Sequence, residues 1–302
     1  MRVAARTAPP RSAPARETAR GPFVLSFDFE DWHQLAFRRR GREDWRVGSD
    51  AFAHHVGTVL DVLDEVDVRA TFFVMGATAE RHPSVLQDVV ARGHEVACHG
   101  YEHRRVHEQT ATQFREDILR CVDVVAEVCG VTPVGFRAPW FSITPETPWV
   151  HDVLEELGFV YDSSLFDSPL LRQQPRPIPQ HPFRIGGVWE FPIAVWKRGG
   201  AVLPLGGGSY WRALPAIALW RGLASVARDS RYPVLYFHPY EFAPERLGVI
   251  VPERAPIRVR GREAYRRGYR NARRRLIPVR FREAARRFTF MSFRDALDTD
   301  LR

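Results

Sequence analysis

Short apolar runs rich in β-branched and aromatic residues alternate along this chain with longer segments whose apolar residues recur at helical spacing. Segment 51–66, for example, has apolar side chains at Phe52, Val56 and Leu60, a periodicity that predicts an amphipathic helix. Strands that alternate with helices of roughly 10 to 20 residues form βαβ units, which build a parallel sheet, either open or closed into a barrel. The sequence therefore predicts an α/β fold, with strands at 23–29, 69–76, 94–100, 133–140, 159–166 and 232–242 and helices at 51–66, 82–93, 110–130 and 147–158.

The alternation is interrupted once and then ends. Between 167 and 231 the chain is rich in proline and glycine and has one short strand pattern at 188–196, so we expect an elaborated loop region at the functional end of the sheet. After that domain, placed at 21–242, we expect a basic, helical C-terminal extension, 243–302, that packs on it. Residues 1–20, rich in arginine and proline, are expected to be a disordered lead-in.

The formal net charge of +8 comes almost entirely from arginine, and its excess is concentrated between Arg258 and Arg287. Such a segment fits a solvated helical face, a contact with an anionic glycan or a membrane surface, or a nucleic-acid patch. No recognisable nucleic-acid-binding module accompanies it. We therefore expect no nucleic-acid partner and keep peripheral contact with a membrane or an anionic glycan as an alternative to the solvated face.

Cysteine usage and hydropathy bear on the compartment. The three cysteines, Cys98, Cys121 and Cys129, form no CxxC pair, which is typical of a reducing compartment. No apolar run approaches the roughly 18 residues of a membrane span, and the N-terminal residues lack the apolar core of a secretory signal. We therefore expect a cytoplasmic protein, with membrane association, if any, at the inner face.

Several predicted strands end in polar residues, and the first ends in three acids within four positions. A buried carboxylate is costly unless it is paired, hydrogen-bonded or bound to a metal. The carboxyl ends of parallel strands share one edge of the sheet, where α/β folds place their chemistry. The sequence thus predicts a site built from Asp28, Glu30, Asp31, His99, His103, Arg137, Trp140, Asp162 and His238.

His99 and His103 indicate the kind of site. Their i, i+4 spacing puts two imidazoles on one side of a helical turn. A carboxylate from the first strand would complete a set of two histidines and one acid, the usual format of a hydrolytic metal site. Structural roles remain as alternatives: the histidines as a surface pair, Asp162 as a turn cap, Arg137 as a surface arginine, His238 as a core histidine and Trp140 as packing.

Five short motifs in order carry a resemblance to a known family. The series SFDFED, CHGYEH, FRAPW, YDSS and LYFHP, spread over residues 21–240, resembles the polysaccharide deacetylases, which are carbohydrate esterase family 4 or NodB-homology proteins. The DFEDW sequence and the basic extension resemble the branch found with exosortase (PEP-CTERM) loci. The resemblance implies a deformed (β/α) barrel and metal-assisted hydrolysis of N-acetyl groups on amino sugars.

The same resemblance implies roles for the residues that attack and hold the metal. Asp28 would be the general base that activates the attacking water, and Arg137 would hold its carboxylate in place. His99 and His103 would bind a divalent metal, expected to be zinc. Zinc lowers the pKa of bound water to about 7 and polarises a carbonyl.

The remaining implied roles concern the oxyanion and the leaving group. Trp140 would bind substrate, and the backbone amide near it would help to hold the oxyanion. His238 would be the general acid that protonates the leaving amine, because an imidazole titrates near neutrality. Asp162 would be oriented toward His238.

The first motif departs from the commonest form of the family, which has two adjacent aspartates followed by glycine. Here the order is Asp-x-Glu-Asp, so the metal carboxylate is open. Glu30 lies two positions beyond Asp28, on the same face of an extended strand, whereas a turn after Phe29 would favour Asp31 and its shorter side chain. We favour Asp31 and keep Glu30 as the alternative.

The expected function is removal of N-acetyl groups from the amino sugars of a polysaccharide or a lipid-linked glycan precursor, in exopolysaccharide biosynthesis. An O-acetyl esterase on the same fold and a non-catalytic glycan-binding protein are the alternatives. A metal-free branch of the fold acts on small cyclic amides, but it lacks the full ligand set that this chain has.

Overall fold

The computed structural model describes residues 21–34, 49–171, 173–248 and 256–301. Its main sheet has nine strands, and a separate hairpin has two. The strands are β1 (Phe23–Phe29), β2 (Thr71–Val74), β3 (Glu95–Cys98), β4 (Gly135–Phe136), β5 (Tyr161–Asp162), β6 (Phe183–Ile185), β7 (Val188–Glu190), β8 (Val195–Arg198), β9 (Ala201–Pro204), β10 (Val234–Phe237) and β11 (Phe290–Met291).

Helices connect the parallel strands and form most of the C-terminal region. They are α1 (Ala51–Glu65), α2 (Gly76–Arg81), α3 (Pro83–Ala91), α4 (Ala111–Cys129), α5 (Trp149–Glu156), α6 (Gly208–Ala213), α7 (Ala216–Asp229), α8 (Pro239–Phe242), α9 (Ile257–Asn271), α10 (Leu276–Arg287) and α11 (Phe293–Asp300). No helix among the described residues is long and apolar enough to cross a membrane.

The main sheet is curled into a deformed barrel. Its order is β10-β1-β2-β3-β4-β5-β7-β6, and all pairs in this order are parallel except β6 with β7. The segment that follows β7 then reaches the far edge, where Ile193 forms a parallel bridge to Val234 of β10. The predicted α/β barrel is confirmed.

The side-chain alternation of β1 separates the two parts of the core. Phe23, Leu25, Phe27 and Phe29 are fully buried in the cluster packed between sheet and helices, whereas Val24 belongs to the second cluster, inside the barrel. Successive side chains of a strand point to opposite faces. The alternation therefore directs the even-numbered positions of β1, including the acid at 28, into the barrel.

The C-terminal region completes the barrel core. Strand β11 pairs in parallel with β1, and Phe293 of α11 stacks on Tyr161 with ring centroids 4.8 Å apart. The backbone N–H groups of Phe293 and Arg294 donate hydrogen bonds to Thr71 and Glu95, which begin β2 and β3. The helices agree with the expected helical extension, but a strand of two residues gave no signal in the sequence.

Segment 167–231 is more regular than a loop region. It contains β6 to β9 and the helices α6 and α7, and the single strand expected at 188–196 is two strands separated by residues 191–194. Pro192 lacks a backbone donor for a sheet ladder, which explains the break. In α7 the buried Leu219, Leu223 and Val226 follow helical spacing, but the neighbouring prolines and glycines obscured it. The lead-in 1–20 lies outside the described residues, and the division into domains stays a prediction.

Candidate active site

The carboxyl ends of four parallel strands converge at one mouth of the barrel. Asp28 is the next-to-last residue of β1. His99, Arg137 and His238 directly follow β3, β4 and β10. The mouth opens into a cavity of about 380 Å³ that is lined by Asp28, His99, His238 and other residues. The sequence-predicted strand ends therefore meet at one place.

Asp28 and Arg137 form a buried ion pair. Arg137 Nη1 donates a 2.7 Å hydrogen bond to Asp28 Oδ1. The guanidinium has no exposure to solvent, lies over the ring of Phe73 at 4.0 Å and donates to both the carbonyl and the hydroxyl oxygen of Ser163. These contacts fix the guanidinium, so it orients Oδ1 and leaves Oδ2 directed toward the site.

Glu30 is the carboxylate that joins the two histidines. Its Oε2 is 2.9 Å from His103 Nε2, and its Oε1 is 4.0 Å from His99 Nε2. His99 Nδ1 is 2.7 Å from the Arg137 carbonyl oxygen, an arrangement that commonly orients a metal-binding imidazole. Glu30 Oε2 is buried without a well-aligned hydrogen bond in the described chain. Two imidazoles and one such carboxylate fit a divalent metal.

The preference for Asp31 is not supported by this geometry. Asp31 Oδ1 accepts a 2.8 Å hydrogen bond from the backbone N–H of His33, the arrangement of a residue at a helix start. The carboxylate lies outside the group formed by Glu30 and the histidines, and burial raises its pKa to about 6. Glu30 instead continues the inward alternation of β1 and lies beside the two histidines.

Burial and neighbouring groups shift the pKa values of His99 and Glu30. Burial, the largest influence, lowers the pKa of His99 to about 4. Burial also acts to raise the pKa of Glu30, but the nearby His103 and His238 together hold it well below its usual value. Neutral imidazole and ionised carboxylate are the forms that bind metals.

His238 lies beside Glu30 and is held by an acid that the sequence analysis missed. Its Nε2 is 3.1 Å from Glu30 Oε1 and 3.9 Å from Asp28 Oδ2. Its backbone N–H donates to Glu241 Oε2 at 2.9 Å, and its Nδ1 is 3.4 Å from the same oxygen. Burial alone would lower the pKa of His238, but Tyr240, Glu241 and Glu30 raise it well above its ordinary value. The His-Pro-x-Glu spacing of a capped helix start was the available signal.

Asp162 is not oriented toward His238 as predicted. Its Oδ2 is 3.2 Å from His151 Nε2, its Oδ1 accepts from the hydroxyl of Ser164, and with His151 and Glu190 it forms a separate buried group. Burial and the adjacent Asp162 raise the pKa of Glu190 well above its usual value. Ser164 also accepts a 2.7 Å hydrogen bond from the Ala138 backbone N–H. Through Ser164, Asp162 therefore helps to hold together the segments that follow β4 and β5.

Trp140 lies at the rim of the cavity, beside Glu30, His99 and His103, which we call the metal-type group. Its ring contacts that of His103 edge-on, with centroids 5.3 Å apart, and Arg105 lies over it at 5.2 Å. Trp140 and Phe141 both have positive φ angles, 61° and 52°, which are uncommon outside glycine and are concentrated at functional sites. The position fits the predicted substrate contact.

The far side of the cavity is formed by arginines that the sequence analysis did not assign to the site. Arg212 comes from α6, Arg266 and Arg270 come from α9, and Arg274 follows α9. Only their positions in the fold bring them to the cavity, because all four lie far along the chain from the strand ends of its first half.

Two known family models match separate parts of the chain. Residues 47–161 match the family model of polysaccharide deacetylase, and residues 168–298 match that of a domain of unknown function, DUF3473. Residues 47–161 are thus a polysaccharide deacetylase domain within this chain. The resemblance seen in the motifs is thereby confirmed for a polysaccharide deacetylase domain, and the exosortase-associated branch stays a prediction.

Curated relatives match the deacetylase domain over part of their length. A peptidoglycan deacetylase-like protein of Gibberella zeae is 37% identical over 125 residues, which are 40% of this chain and 36% of the relative. The peptidoglycan deacetylase of Helicobacter pylori is 33% identical over 121 residues, 39% of this chain and 40% of the relative. This chain therefore spans well under half of either relative.

A solved structure from Mycobacterium smegmatis, named as a polysaccharide deacetylase, matches almost the whole chain. It covers 95% of this chain and 97% of its own, with 26% identity and a TM-score of 0.53. The match extends past the deacetylase domain into the C-terminal region, so the fold is shared beyond residues 47–161.

Proposed function

We propose that this protein is a zinc-dependent N-deacetylase that removes acetyl groups from the amino sugars of a polysaccharide or a lipid-linked glycan precursor. One observation carries the proposal: Glu30, His99 and His103 form a metal-type group beside the Asp28–Arg137 pair, at the base of one cavity. The family and the names of the two curated relatives support deacetylation of an amino-sugar polymer.

The residues of the site suit hydrolysis of an amide. A zinc ion held by Glu30, His99 and His103 would supply Lewis acidity to the acetyl carbonyl and lower the pKa of the attacking water. Asp28 Oδ2 takes a proton from that water, because Oδ1 is engaged by Arg137. The water oxygen bonds to the carbonyl carbon, and the carbon–nitrogen bond breaks.

His238 suits the second proton transfer. Its Nε2 faces Glu30 and Asp28, and Glu241 holds its other side. The protonated imidazole gives its proton to the departing nitrogen, so the products are acetate and a free amino sugar. The aromatic rim at Trp140 offers a stacking surface for a sugar ring.

Acetate release tests the proposal. The purified full chain, stripped by a chelator and reloaded with zinc, should release acetate from N-acetylglucosamine oligomers, and His103→Ala should lose both bound metal and turnover. His54→Ala, at an exposed histidine outside the cavity, is the matched control and should retain both. Acetate from O-acetylated oligosaccharides alone would favour the esterase alternative, and none from either would favour the non-catalytic one.

We also propose a cytoplasmic role in exopolysaccharide biosynthesis, with peripheral contact through α9. That helix exposes Ile257 and Tyr265, 85% and 74% accessible, beside the exposed Arg258 and Arg260, a combination that suits an anionic surface. Cosedimentation with phosphatidylglycerol vesicles, but not with phosphatidylcholine vesicles, would support a membrane contact. Binding to a soluble anionic glycan alone would favour the glycan surface.

A further inference from the structure

The cavity has two chemically different sides. One side carries the carboxylates and histidines of the strand ends, and the other carries the arginine wall, which we define as Arg212, Arg270 and Arg274. The acids of the first side already have cationic or imidazole neighbours: Asp28 has Arg137, and Glu30 and Glu241 have His238. The wall therefore adds positive charge to the cavity, and of the described acids Glu245 and Glu241 act on Arg274.

The side chains of the arginine wall are held by neutral groups. Arg212 is 6% exposed, donates to the carbonyl oxygens of Tyr269 and Ala272, and lies over the Tyr269 ring at 4.6 Å. Arg274 is 3% exposed, and its Nη1 donates to the Tyr240 carbonyl oxygen at 2.6 Å. Within the described part of the chain, no carboxylate lies at ion-pair distance from either guanidinium, although Glu245 and Glu241 are near enough to raise the pKa of Arg274.

Arg270 is placed by aromatic rings. Its guanidinium lies over Trp32 at 3.8 Å, Trp32 packs against Tyr240, and Tyr240 stacks on His238 with centroids 5.1 Å apart. Only two rings thus separate this guanidinium from the imidazole of the reaction site. A group bound at the wall would belong to the same substrate molecule as the acetamido group at the metal-type site.

Buried guanidinium groups without an ionic partner are costly, and they are good receptors for oxyanions. Burial lowers the pKa of both Arg270 and Arg274 from the ordinary value. A guanidinium has five N–H donors in a planar fork that matches carboxylate or phosphate, and Arg274 uses one of them for its described carbonyl partner. An incoming oxyanion would supply the missing counter-charge.

We propose that Arg212, Arg270 and Arg274 bind an oxyanion of the glycan substrate, a carboxylate or a phosphate, on the same molecule as the acetamido group that is cleaved. The inference rests on the proposed deacetylase function and specifies its substrate as an acidic glycan. A uronic acid within a polymer and a phosphate at the reducing end of a precursor are the two sources of such a group.

Three matched substrates test the inference: an N-acetylglucosamine oligomer, the same oligomer with one neighbouring uronic acid, and the same oligomer with a reducing-end phosphate. We expect acetate release with a kcat/KM about 10- to 100-fold higher for one of the acidic substrates, mainly through KM. Arg270→Gln and Arg274→Gln should remove that gain, so that their kcat/KM no longer differs between the acidic and the neutral substrates. Arg270→Lys, which retains the charge, should recover part of it.

Arg262→Gln is the control, since Arg262 lies exposed on the same helix and does not line the cavity. The acidic substrate with the larger gain identifies the source of the oxyanion. Equal kcat/KM for neutral and acidic substrates would overturn the inference while leaving the deacetylase function intact.

A binding measurement keeps the inference testable if no substrate releases acetate. Calorimetry of the full chain with glucuronate and with glucose 1-phosphate should show binding that is weakened about 10-fold or more in Arg274→Gln and unchanged in Arg262→Gln. Thermal melting of each variant checks that it is folded. Absence of binding to both compounds in the folded wild-type chain would also overturn the inference.

Discussion

Arg137 and Asp28 meet in a 2.7 Å ion pair at the base of the cavity, and the guanidinium is wholly enclosed by protein. The pair links two functions of the barrel mouth. The backbone carbonyl oxygen of Arg137 orients His99, and the Arg137 guanidinium orients Asp28. Arg137 thus positions both a candidate metal ligand and the base. This coupling explains why the two groups lie side by side.

Breaking this pair should affect stability and turnover together. Arg137→Gln leaves the Asp28 charge buried without its partner, and we expect a loss of about 3–5 kcal/mol in the free energy of unfolding. Urea unfolding and acetate release measure the two effects. Asp28→Asn should lower the free energy of unfolding by less than Arg137→Gln does. The double variant should lower it by much less than the two single variants added together. Additive losses would show that the two side chains do not interact.

The two candidate metal carboxylates can be separated by a matched pair of variants. Glu30→Gln removes the acid that faces His99 and His103, so we expect at least a 10-fold weaker affinity for zinc. Asp31→Asn alters an acid that contacts the His33 backbone, so zinc affinity should stay within about 3-fold. Titration of the apo protein with zinc gives both values. The reverse order would restore Asp31 as the ligand.

The alternation of β1 is the sequence feature that favours Glu30 over Asp31. On β1 the odd-numbered Phe23, Leu25 and Phe27 face the helices, so strict alternation directs Asp28 and Glu30 inward. The strand ends, the alternation of elements and the metal-type pair could all be predicted, because each depends on local pattern. The arginine wall could not, because the packing of α9 across the mouth depends on tertiary contacts.

The same distinction applies to the acids around His238. The family resemblance implied Asp162 as its partner, but the structure pairs Asp162 with His151. Glu241, three residues after His238, takes that place. Strand order determines which ends are neighbours, and β5 is separated from β10 by several strands along the sheet.

Glu241 should matter for turnover and not for metal content. Glu241→Gln keeps the size of the side chain but removes the charge that faces His238 Nδ1, so we expect kcat to fall about 10- to 100-fold with zinc binding unchanged. Glu245→Gln, at an exposed acid in the same segment, is the control and should keep normal kcat. A fall in zinc content that matches the loss of kcat would contradict this positioning role.

Phe293, near the C-terminal end of the chain, should contribute strongly to the stability of the barrel core. Phe293 is fully buried and stacks on Tyr161, so Phe293→Ala should lower the free energy of unfolding by about 3–5 kcal/mol. Ile257→Ala, at an 85% exposed side chain, should change it by less than about 0.5 kcal/mol. Urea unfolding measures both. Similar small losses would mean that the extension does not contribute to the barrel core.

His94 should make the fold sensitive to acid at a point away from the cavity. Burial, the largest cause, lowers its pKa from 6.5 to about 4, and its Nδ1 accepts a hydrogen bond from the Ala70 backbone. Between about pH 4 and 6.5, His94 is therefore protonated in the unfolded chain and neutral in the folded chain. The free energy of unfolding is unaffected by His94 above pH 6.5. It falls as the pH drops toward 4, by at most about 3 kcal/mol from this group. His94→Asn keeps an acceptor and should flatten the slope of unfolding free energy over that window, whereas His181→Asn, at an exposed histidine, should leave it unchanged. An unaltered slope in His94→Asn would assign the acid sensitivity to other groups.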